Sequence, residues 1–428
     1  MDEQTVQNIL DAVDDKRVIK FEQSIVRIPS FTTEETPVAR HIVDYFKGIG
    51  GLEVELQEVP LVGGKTSHNA FARLRGTGGG PTLLLFGHID HGPILGREYA
   101  THELEGWTHE PFGAEIEGEW LYGKGCQDEK GGVTGFVMAA EALVKSGVKL
   151  KGDVIFVGVQ GHKRVSSGTL HLLKQGYQID YAINTENSGN MVVHAFVGRS
   201  EGKIHIRAKE LHFHIKDIFP QLRDQLTAFE LTNKIHAALG PEMQSPGPDT
   251  WMTFEKHPDL SDYPQIRMEF IEFNHLGYLA LEFQIRTVPG MTDETITKDL
   301  RRMLDRFEEK YPYLETEVEW PSRTTTRPAS TTSRDNPMVK SLSRWHGHIT
   351  GEPGEVGALG RSGAAADGSH THEAGITTVL YGPGGGVGDK EYRLKGHLKE
   401  GQPDERIAIK DLVTTTKVLA LTAADLCG

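Results

Sequence analysis

The sequence predicts an α/β protein in which a mostly parallel, mixed sheet is flanked by helices and a smaller α+β domain is inserted. Over roughly the first two hundred residues, short apolar runs alternate with amphipathic runs of helical spacing. Such alternation is typical of a parallel sheet covered by helices on both faces. From about Lys209 to Pro328 the pattern changes, and a last apolar run and a long helical pattern follow. At 428 residues, the chain is long enough for two domains.

The first domain consists of strand and helix patterns in turn. The stretch "PTLLLFGHID" predicts a buried strand, "GGVTGFVMAAEALVKSG" an amphipathic helix and "GDVIFVGV" a second strand. "GTLHLLKQG" then predicts a helix and "DYAINTE" a third strand. Ligands bind beyond the carboxyl ends of such strands, so we expect the active site there.

The inserted domain is predicted to cover residues 209–328, between catalytic segments 1–208 and 329–428. Two helical patterns, "QLTAFELTNKIHAALG" and "TDETITKDLRRMLDRFEEKYP", accompany two alternating strands, "IRMEFIEFNHL" and "YLALEFQIRTV". The polar stretch "PSRTTTRPASTTSRDNP" reads as the link back. After it, "ITTVLYGPGG" predicts a buried strand and "DLVTTTKVLALTAADL" a closing helix.

Composition and charge narrow the possible functions. The 46 basic and 60 acidic side chains give a formal net charge of −14, which argues against a general nucleic-acid or anionic-membrane surface. The two cysteines, Cys126 and Cys427, are too few for a disulfide framework. The N-terminal stretch lacks the apolar core of a signal peptide, and no run approaches the roughly 20 apolar residues of a membrane span. These features predict a soluble, cytoplasmic protein.

Polar residues gather at the predicted strand ends. His88 and Asp90 end the first strand, Asp128 and Glu129 lie in a glycine-flanked turn before a helix, and Glu186 ends the third strand. A histidine with a nearby carboxylate suits a metal ligand and the group that orients it. Imidazole and carboxylates together favour Zn, Mn or Co. For Glu129 the alternative is a solvated acid at the positive end of a helix.

The chain resembles the aminoacylase/acetylornithine deacetylase family of metallopeptidases, which includes carboxypeptidase G and succinyl-diaminopimelate desuccinylase. The resemblance lies in "GHID", "GWTHEPFGAEIEGEWLYGKGCQDEKGG", "NTENSGN", "IHIRAKELH", "QIRTVPGMTDETI", "ADGSHTHEAGITTVLYGPGG" and "PDERIAIKDL". It covers nearly the whole chain. It implies a zinc-peptidase-like catalytic domain that carries two metals, interrupted by a lid domain that dimerises through its sheet.

The resemblance also implies roles for residues near the predicted strand ends. His88 and Glu186 match the terminal ligands of one metal, and Asp128 matches the bridging carboxylate. Asp90 matches the residue that orients His88. Asp367 falls on a motif near the substrate pocket.

Two histidines outside this group take their roles from the resemblance alone. His212 matches the lid histidine that crosses the dimer interface to the substrate or the developing oxyanion. His397 is the candidate for the C-terminal histidine ligand. Arg199, just after a strand in "FVGRSEG", could anchor a substrate carboxylate or form a surface ion pair.

The sequence departs from the family at two places. The family has consecutive glutamates after the second strand, one a general base and one a ligand of the second metal. Here those positions hold Gly161 and His162, or His162 and Lys163 if the alignment shifts by one, and neither register supplies a carboxylate. His397 also stands eight residues before Glu405, a longer spacing than in the family.

Both departures concern the second metal. They predict one divalent metal per subunit, held by His88, Asp128 and Glu186, with His397 or His162 as candidate additional ligands. For His162, a ligand, a proton carrier and an exposed loop residue all remain open.

An enzyme without the glutamate base needs an activated substrate, because losing such a base costs about 10²–10⁴ in rate. One branch of the family removes the amino group of 5-nitroanthranilate to give 5-nitrosalicylate. There, hydroxide generated at the metal attacks an electron-poor ring carbon. The resemblance to that branch implies a small carboxylate-bearing substrate, with hydrolysis of a C–N bond other than a typical peptide. Such an activity would belong to nitroaromatic degradation.

Two alternatives remain open. One is an N-acyl amino acid deacylase or dipeptidase with a substitute base such as Glu129 or His162. The other is a catalytically silent binding or scaffold protein, which the missing glutamates favour and the retained His88, Asp90 and Asp128 oppose. As partners the resemblance implies an anionic small molecule and a second copy of the chain, which would bind through the lid. A larger homo-oligomer is a further alternative.

Overall fold

The structure of the protein is a computed structural model. It describes residues 1–92, 106–163, 165–209, 253–260, 264–274, 278–310, 312, 314–321, 326–359, 366–384 and 403–428. Within these residues the chain divides into two compact units. The first comprises the described parts of Met1–Ala195, Thr331–Ser362 and Ala366–Gly428, and the second comprises those of Phe196–Ser330.

Two helix ends illustrate how local sequence sets where a helix begins or ends. In α2 the side chain of Asp14 accepts hydrogen bonds from the first backbone amides, and α4 ends at Gly147, whose φ of 68° is left-handed. The turn Cys126–Lys130 precedes α4, and within it Asp128 and Glu129 have non-helical backbone angles. The described helices are α1 Glu3–Asp11, α2 Asp15–Val26, α3 Thr36–Ile49, α4 Gly131–Ser146, α5 Ser167–Lys174, α6 Asp293–Lys310, α7 Pro337–Thr350, α8 Gly368–Glu373 and α9 Ile409–Cys427.

The described strands include the six predicted from sequence and others that were not predicted. They are β1 Glu53–Pro60, β2 Thr66–Leu74, β3 Leu83–His88, β4 Glu115–Glu117, β5 Trp120–Tyr122, β6 Val154–Val159, β7 Tyr181–Asn184, β8 Val192–Phe196, β9 Gly198–Ala208, β10 Gln265–Asn274, β11 Tyr278–Thr287, β12 Leu314–Glu319, β13 Ser330–Thr331, β14 Val356–Leu359, β15 Thr377–Leu380 and β16 Arg406–Ala408.

The sheet of the first unit is mixed, with a parallel centre. Within the described chain its strands lie in the order β1-β2-β6-β3-β7-β15-β8-β13, and β14 also pairs with β8. The central strands β6, β3, β7 and β15 run parallel, whereas β1 and β2 on one side and β8 on the other are antiparallel to their neighbours. The predicted α/β fold with a mostly parallel mixed sheet is confirmed.

Both faces of the central strands are buried, which explains their uninterrupted apolar sequences. Leu83 and Leu85 of β3 pack with helices α1, α2, α3, α4, α7 and α9 on one face. Leu84 and Phe86 face the other way, into a smaller cluster that includes Leu172 of α5. Alternate side chains of a strand point to opposite faces, so a slip of one residue would move each side chain of β3 into the wrong cluster. The pairing register of β3 with its neighbours is therefore well defined.

The second unit contains a four-stranded sheet in the order β10-β11-β9-β12, with every pairing antiparallel. The predicted strand pair corresponds to β10 and β11, and the predicted helix at 293–310 to α6. The helix predicted for "QLTAFELTNKIHAALG" lies outside the described residues. Strand β9 pairs with β11 and β12, so it belongs to this sheet, although residues 198–208 precede the boundary drawn from sequence.

A search of the helices in the described part of the chain finds none that is both long and apolar enough to cross a membrane.

Candidate metal centre

The candidate site lies at the carboxyl ends of three neighbouring parallel strands of the first unit. Strand β3 ends at His88, which is paired with Val159 at the end of β6. Phe86 of β3 is paired with Asn184, the last residue of β7. The segments that leave these strands therefore emerge side by side and carry His88, His162 and Glu186 to one edge of the sheet.

These three side chains form a compact donor cluster. One ligand atom from each lies within 4.8 Å of the other two, and all three residues are buried. The Oε1 of Glu186 is 4.0 Å from Nε2 of His88 and 3.9 Å from Nε2 of His162. This buried Oε1 accepts no hydrogen bond from the described residues. Unsatisfied buried carboxylate oxygens are rare in native structures, and a missing cation is one recognised explanation.

Each imidazole is held by a hydrogen bond at its other nitrogen. The Nδ1–H of His88 donates to the backbone oxygen of Asp90 at 2.8 Å, and the Nδ1–H of His162 donates to Oδ1 of Asp367, also at 2.8 Å. The second oxygen of Asp367 accepts from Oγ1 of Thr169 at 2.6 Å. Metal-binding histidines characteristically have their second nitrogen anchored in this way.

Asp128 lies beside this cluster and contacts two basic groups. Its Oδ1 is 2.8 Å from Nε2 of His88, and its Oδ2 is paired with the ammonium of Lys163. The backbone amides of Gln127 and Asp128 both donate to Oε1 of Glu405 at 3.2 Å. Because Glu405 is buried, these two hydrogen bonds hold the turn that carries Asp128 in place.

Asp90 was expected from the resemblance to orient His88. Its backbone oxygen does so, but its carboxylate has a different set of partners. It lies 3.6 Å from Nδ1 of His88, beyond hydrogen-bond length, and it is the backbone oxygen of Asp90 that bonds His88. The carboxylate instead accepts the backbone N–H of His162 at 3.0 Å and of Lys163 at 3.1 Å. Asp90 thus holds in place the loop that follows β6.

Glu129 is only 1% exposed, so the alternative of a solvated acid at a helix start is wrong. Its Oε2 accepts the backbone N–H of His88 at 2.9 Å, and its Oε1 accepts from Thr185 at 3.0 Å and from Asn184 at 3.3 Å. A Cβ on Gly87 would come within 2.4 Å of Oε1 of Glu129. Glu129 therefore fits tightly under the end of β3 and fixes the backbone of His88.

The electrostatics of the site are dominated by burial and by close opposite charges. Burial and Lys163 lower the pKa of His88, but the carboxylates of Asp128 and Glu129 outweigh them and raise it to about 10. Burial raises the pKa of Glu186, and the balance with its charged neighbours leaves it at about 7. Burial opposes ionisation of Asp128, yet Lys163 and His88 hold its pKa well below the usual value.

The loop after β6 presents His162 and Lys163 to the site. His162 is 3% exposed, which rules out the exposed-loop alternative. Gly161 has a left-handed φ of 76°, and a Cβ there would lie 2.5 Å from Oγ of Ser167. The side chains of His162 and Lys163 both reach the site, where they lie beside Glu186 and Asp128 respectively.

Four other residues singled out from sequence are Arg199, His212, His397 and Cys126. Arg199 belongs to the second unit, where its guanidinium pairs with Glu201, which also accepts from Gln284 at 2.9 Å. Its role in binding substrate stays a prediction. His212 and His397 lie outside the described residues. Cys126 is fully buried, and burial raises its pKa well above the usual value, as expected for a structural cysteine.

The donor set fits a divalent transition metal. Two imidazole nitrogens and a carboxylate oxygen converge on one point, with the Asp128 carboxylate beside them. Imidazole combined with carboxylate suits Zn, Mn, Co and related metals rather than Ca or Mg. With Nδ1 anchored, the Nε2 atoms of His88 and His162 lie 4.0 and 3.9 Å from the unsatisfied oxygen of Glu186, and Nε2 of His88 also lies 2.8 Å from Oδ1 of Asp128.

Comparison with known proteins agrees with this geometry. Residues 84–425 match peptidase family M20/M25/M40. The N-formyl-4-amino-5-aminomethyl-2-methylpyrimidine deformylase of Bacillus subtilis is 25% identical over 374 residues, which cover 82% of this chain and 81% of the relative.

Two solved structures share the fold. The dipeptidase Dug1p of Saccharomyces cerevisiae has a TM-score of 0.70 at 14% identity, covering 99% of this chain and 98% of its own. YXEP of Bacillus subtilis, described as a dinuclear metal-binding peptidase, has a TM-score of 0.64 at 14% identity, covering 96% and 98%.

The family match spans most of the chain, and the donor cluster contains His88 and Glu186, which the resemblance implies as metal ligands. The enzyme class expected from sequence is confirmed, which argues against the silent-scaffold alternative. The chain belongs to peptidase family M20/M25/M40 and is a metal-dependent hydrolase that acts on C–N bonds.

Proposed function

We propose that this enzyme hydrolyses the bond between an amino group and an electron-poor aromatic ring, with 5-nitroanthranilate as the best candidate substrate and 5-nitrosalicylate as the product. The observation that carries the proposal is the loop after β6, which places His162 and Lys163, and no carboxylate, beside the donor cluster. The sequence resemblance puts the general base of the family's peptidases in this loop.

The carboxylates that the described residues do place at the site are already engaged. Both oxygens of Glu129 accept hydrogen bonds from the protein, and Asp128 is paired with His88 and Lys163. Glu186 has one unsatisfied oxygen, but this oxygen faces the two imidazoles as a ligand would. A peptide nitrogen needs a proton before it can leave, and none of these side chains is placed as a free base to relay one.

We assign the metal ligands from the donor geometry. His88, His162 and Glu186 would hold one divalent metal, Mn, Zn or Co, with Asp128 as a further ligand. When bound, such a metal acts as a Lewis acid and lowers the pKa of water to about 7. We propose one metal per subunit, in contrast to the dinuclear relative.

The protein's own residues then position the reacting groups. The backbone oxygen of Asp90 orients His88, and the carboxylate of Asp367 orients His162. Glu129 keeps the end of β3 in place through the backbone N–H of His88. We retain Arg199 and His212 as proposed contacts for the substrate carboxylate and the developing negative charge.

The proposed reaction is balanced without a further reactant. Water adds its oxygen to the ring carbon that carries the amine, and the nitro group delocalises the added electron pair. The C–N bond then breaks, its electron pair leaves with nitrogen, and a proton from the water converts the leaving group to ammonia. The ring keeps the oxygen as a hydroxyl group. Because the nitro group stabilises the addition step, little help from a general base is needed.

Ammonia release distinguishes this reaction from amide hydrolysis. We expect the Mn-, Zn- or Co-loaded enzyme to release ammonia from 5-nitroanthranilate and to place ¹⁸O from labelled water on the ring of 5-nitrosalicylate. Unsubstituted anthranilate should react at least about 10³-fold more slowly, since each 1.36 kcal/mol of lost stabilisation is tenfold in rate. His88→Ala should abolish activity. Faster cleavage of N-acyl amino acids or dipeptides than of 5-nitroanthranilate would overturn the proposal.

The second candidate is an N-acyl amino acid deacylase or dipeptidase. The named relatives favour it, since they include a deformylase and a dipeptidase. In that case His162 would serve as the substitute base, and activity against a small panel of N-formyl, N-succinyl and dipeptide substrates would exceed that against aminobenzoates.

We further propose a homodimer formed through the sheet of the second unit. This proposal rests on the family resemblance and on an antiparallel sheet whose described strands run β10-β11-β9-β12. Sedimentation equilibrium of the full chain tests it, and a monomer at micromolar concentration would contradict it.

A further inference from the structure

We propose that the ammonium of Lys163 is a built-in second cation of the metal centre, which neutralises the Oδ2 of Asp128 and prevents a second metal from binding there. The inference rests on the proposed function only in taking the donor cluster as a metal site. It adds a role for Lys163, which the resemblance does not assign.

The two oxygens of Asp128 face different partners. Oδ1 lies 2.8 Å from Nε2 of His88, on the side of the donor cluster, whereas Oδ2 is paired with Nζ of Lys163. A carboxylate placed in this way can bridge two cations. With a metal on the first side, the lysine ammonium already occupies the second.

Lys163 is held by its backbone as well as by its charge. Its N–H donates to Oδ2 of Asp90 at 3.1 Å, beside the N–H of His162, which donates to Oδ1 at 3.0 Å. The side chain is 26% exposed, so the ammonium is reachable from solvent while Asp128 is nearly buried. The hydrogen bonds to Asp90 therefore position the Lys163 ammonium at the solvent-exposed side of the centre.

This arrangement has opposite consequences for cations and anions. The ammonium repels a metal at the donor cluster and competes for Asp128, so it weakens binding of the first metal and excludes a second. The same charge attracts a small carboxylate that approaches the centre. A site with one metal and one ammonium suits an anionic substrate better than a neutral peptide bond.

The test is a metal titration of the full-length chain after chelation, with Mn²⁺ as the probe. We expect the wild type to bind one Mn²⁺ per subunit, by calorimetry and by elemental analysis after desalting. Lys163→Glu should bind two, because the carboxylate supplies a ligand where a cation had been. Lys163→Gln should bind one Mn²⁺ about tenfold or more tightly than the wild type, since a unit charge a few ångströms away is removed. Benzoate should bind the Mn²⁺-loaded Lys163→Gln protein about tenfold more weakly.

Lys340 offers the matched control, because its ammonium pairs with Asp335 at 2.8 Å on the surface. Lys340→Glu and Lys340→Gln should leave both the metal count and the affinity unchanged. The proposal fails if Lys163→Glu still binds one Mn²⁺ and Lys163→Gln binds it no more tightly than the wild type. If Lys163→Glu does not fold by circular dichroism, the affinity of Lys163→Gln decides.

These measurements need no substrate, so they are separable from the proposed activity. A wild type that binds one Mn²⁺ and shows the Lys163 effects, but releases no ammonia from 5-nitroanthranilate, would overturn the substrate and leave the role of Lys163 intact. A wild type that binds two Mn²⁺ would overturn the role of Lys163.

Discussion

The imidazole rings of His88 and His162 stack with their centroids 4.2 Å apart and their planes 10° from parallel, although the two residues are far apart in the chain. Each ring is anchored at Nδ1, by the backbone oxygen of Asp90 and by the carboxylate of Asp367. The stacking and the anchors together direct both Nε2 atoms toward Glu186. This relationship makes His162 a ligand candidate equal to His88, and it leads to the first prediction.

Removing the His162 imidazole should weaken metal binding strongly. We expect His162→Ala to lower Mn²⁺ affinity by at least about 100-fold, since even groups that only orient a ligand contribute 10–100-fold. Calorimetric titration of the chelated protein measures this change. His171→Ala, on α5 and hydrogen-bonded to Gln175, serves as the control and should bind as the wild type does. Equal affinity in both variants would remove His162 from the ligand set.

Asp367 should influence the metal mainly through its hydrogen bond to His162. Asp367→Asn keeps the shape of the side chain but removes the charge that the Nδ1–H of His162 contacts at 2.8 Å. The expected loss is about 10–100-fold in Mn²⁺ affinity. The exposed Asp335 is the control position, and Asp335→Asn should have no effect. In the His162→Ala background, Asp367→Asn should lower Mn²⁺ affinity little further. If the two losses of affinity were fully additive, Asp367 would not act through His162.

Metal binding should strengthen as the pH rises. In the metal-free protein, Asp128 and Glu129 outweigh burial and raise the pKa of His88 to about 10, while burial raises that of Glu186 to about 7. Both groups hold protons at pH 6 that a metal must displace. We expect about tenfold or more weaker Mn²⁺ binding at pH 6 than at pH 8. Calorimetry in buffers of different ionisation enthalpy should show protons released, and a pH-independent affinity would contradict the assignment.

The close packing under β3 predicts a stability effect at Gly87. A Cβ at this position would lie 2.4 Å from Oε1 of Glu129 and 2.5 Å from Oγ1 of Thr185, so Gly87→Ala should lower the free energy of unfolding by about 1–3 kcal/mol. Gly48 in α3 has no atom within 4 Å of such a Cβ. Gly48→Ala should therefore raise stability by about 0.5–1 kcal/mol. Urea unfolding of both variants distinguishes the crowded site from the open one.

A buried carboxyl away from the centre should make stability depend on pH. Burial raises the pKa of Glu22 to about 8, although Thr134 and Lys130 favour its charged form and Glu405 opposes it. The folded state binds this proton more tightly than the unfolded state, whose value is near 4.5. The contribution of Glu22 to the free energy of unfolding is therefore full below pH 4.5 and lost as the pH rises toward 8, by about 1 kcal/mol per pH unit.

Glu22→Gln isolates this effect. The variant keeps the size of the side chain and removes the titrating group. Between pH 5 and pH 7 the free energy of unfolding of the wild type should therefore fall relative to that of the variant. The lowered pKa of the neighbouring Lys130, about 7, acts in the opposite direction and above that window. Parallel slopes for wild type and variant from pH 5 to pH 7 would contradict the prediction.

Much of the fold could be read from local patterns. The buried strands β3, β6, β7 and β15 and the helices α4, α5, α6 and α9 lie where the apolar runs and helical spacing predicted them. Strands buried on both faces have uninterrupted apolar sequences, so their signal is strong. His88 and Glu186 were singled out for the same reason, because polar residues at the ends of such strands are conspicuous, whereas Asp128 was singled out in a glycine-flanked turn before a helix.

By itself, then, the sequence determined the α/β architecture, the family and two members of the donor cluster, His88 and Glu186, and it left the role of His162 open. Only the tertiary structure brought His162 and Lys163 to the site, buried Glu129 under His88, and paired Asp367 with His162 and Lys163 with Asp128. The physical reason is that these pairings join loops that are distant in sequence. The parallel pairing of β3 with β6 and β7, and the left-handed φ of Gly161, bring these loops together. Local propensity describes a strand and where it ends, whereas the partner that each side chain meets beyond that end is set by packing.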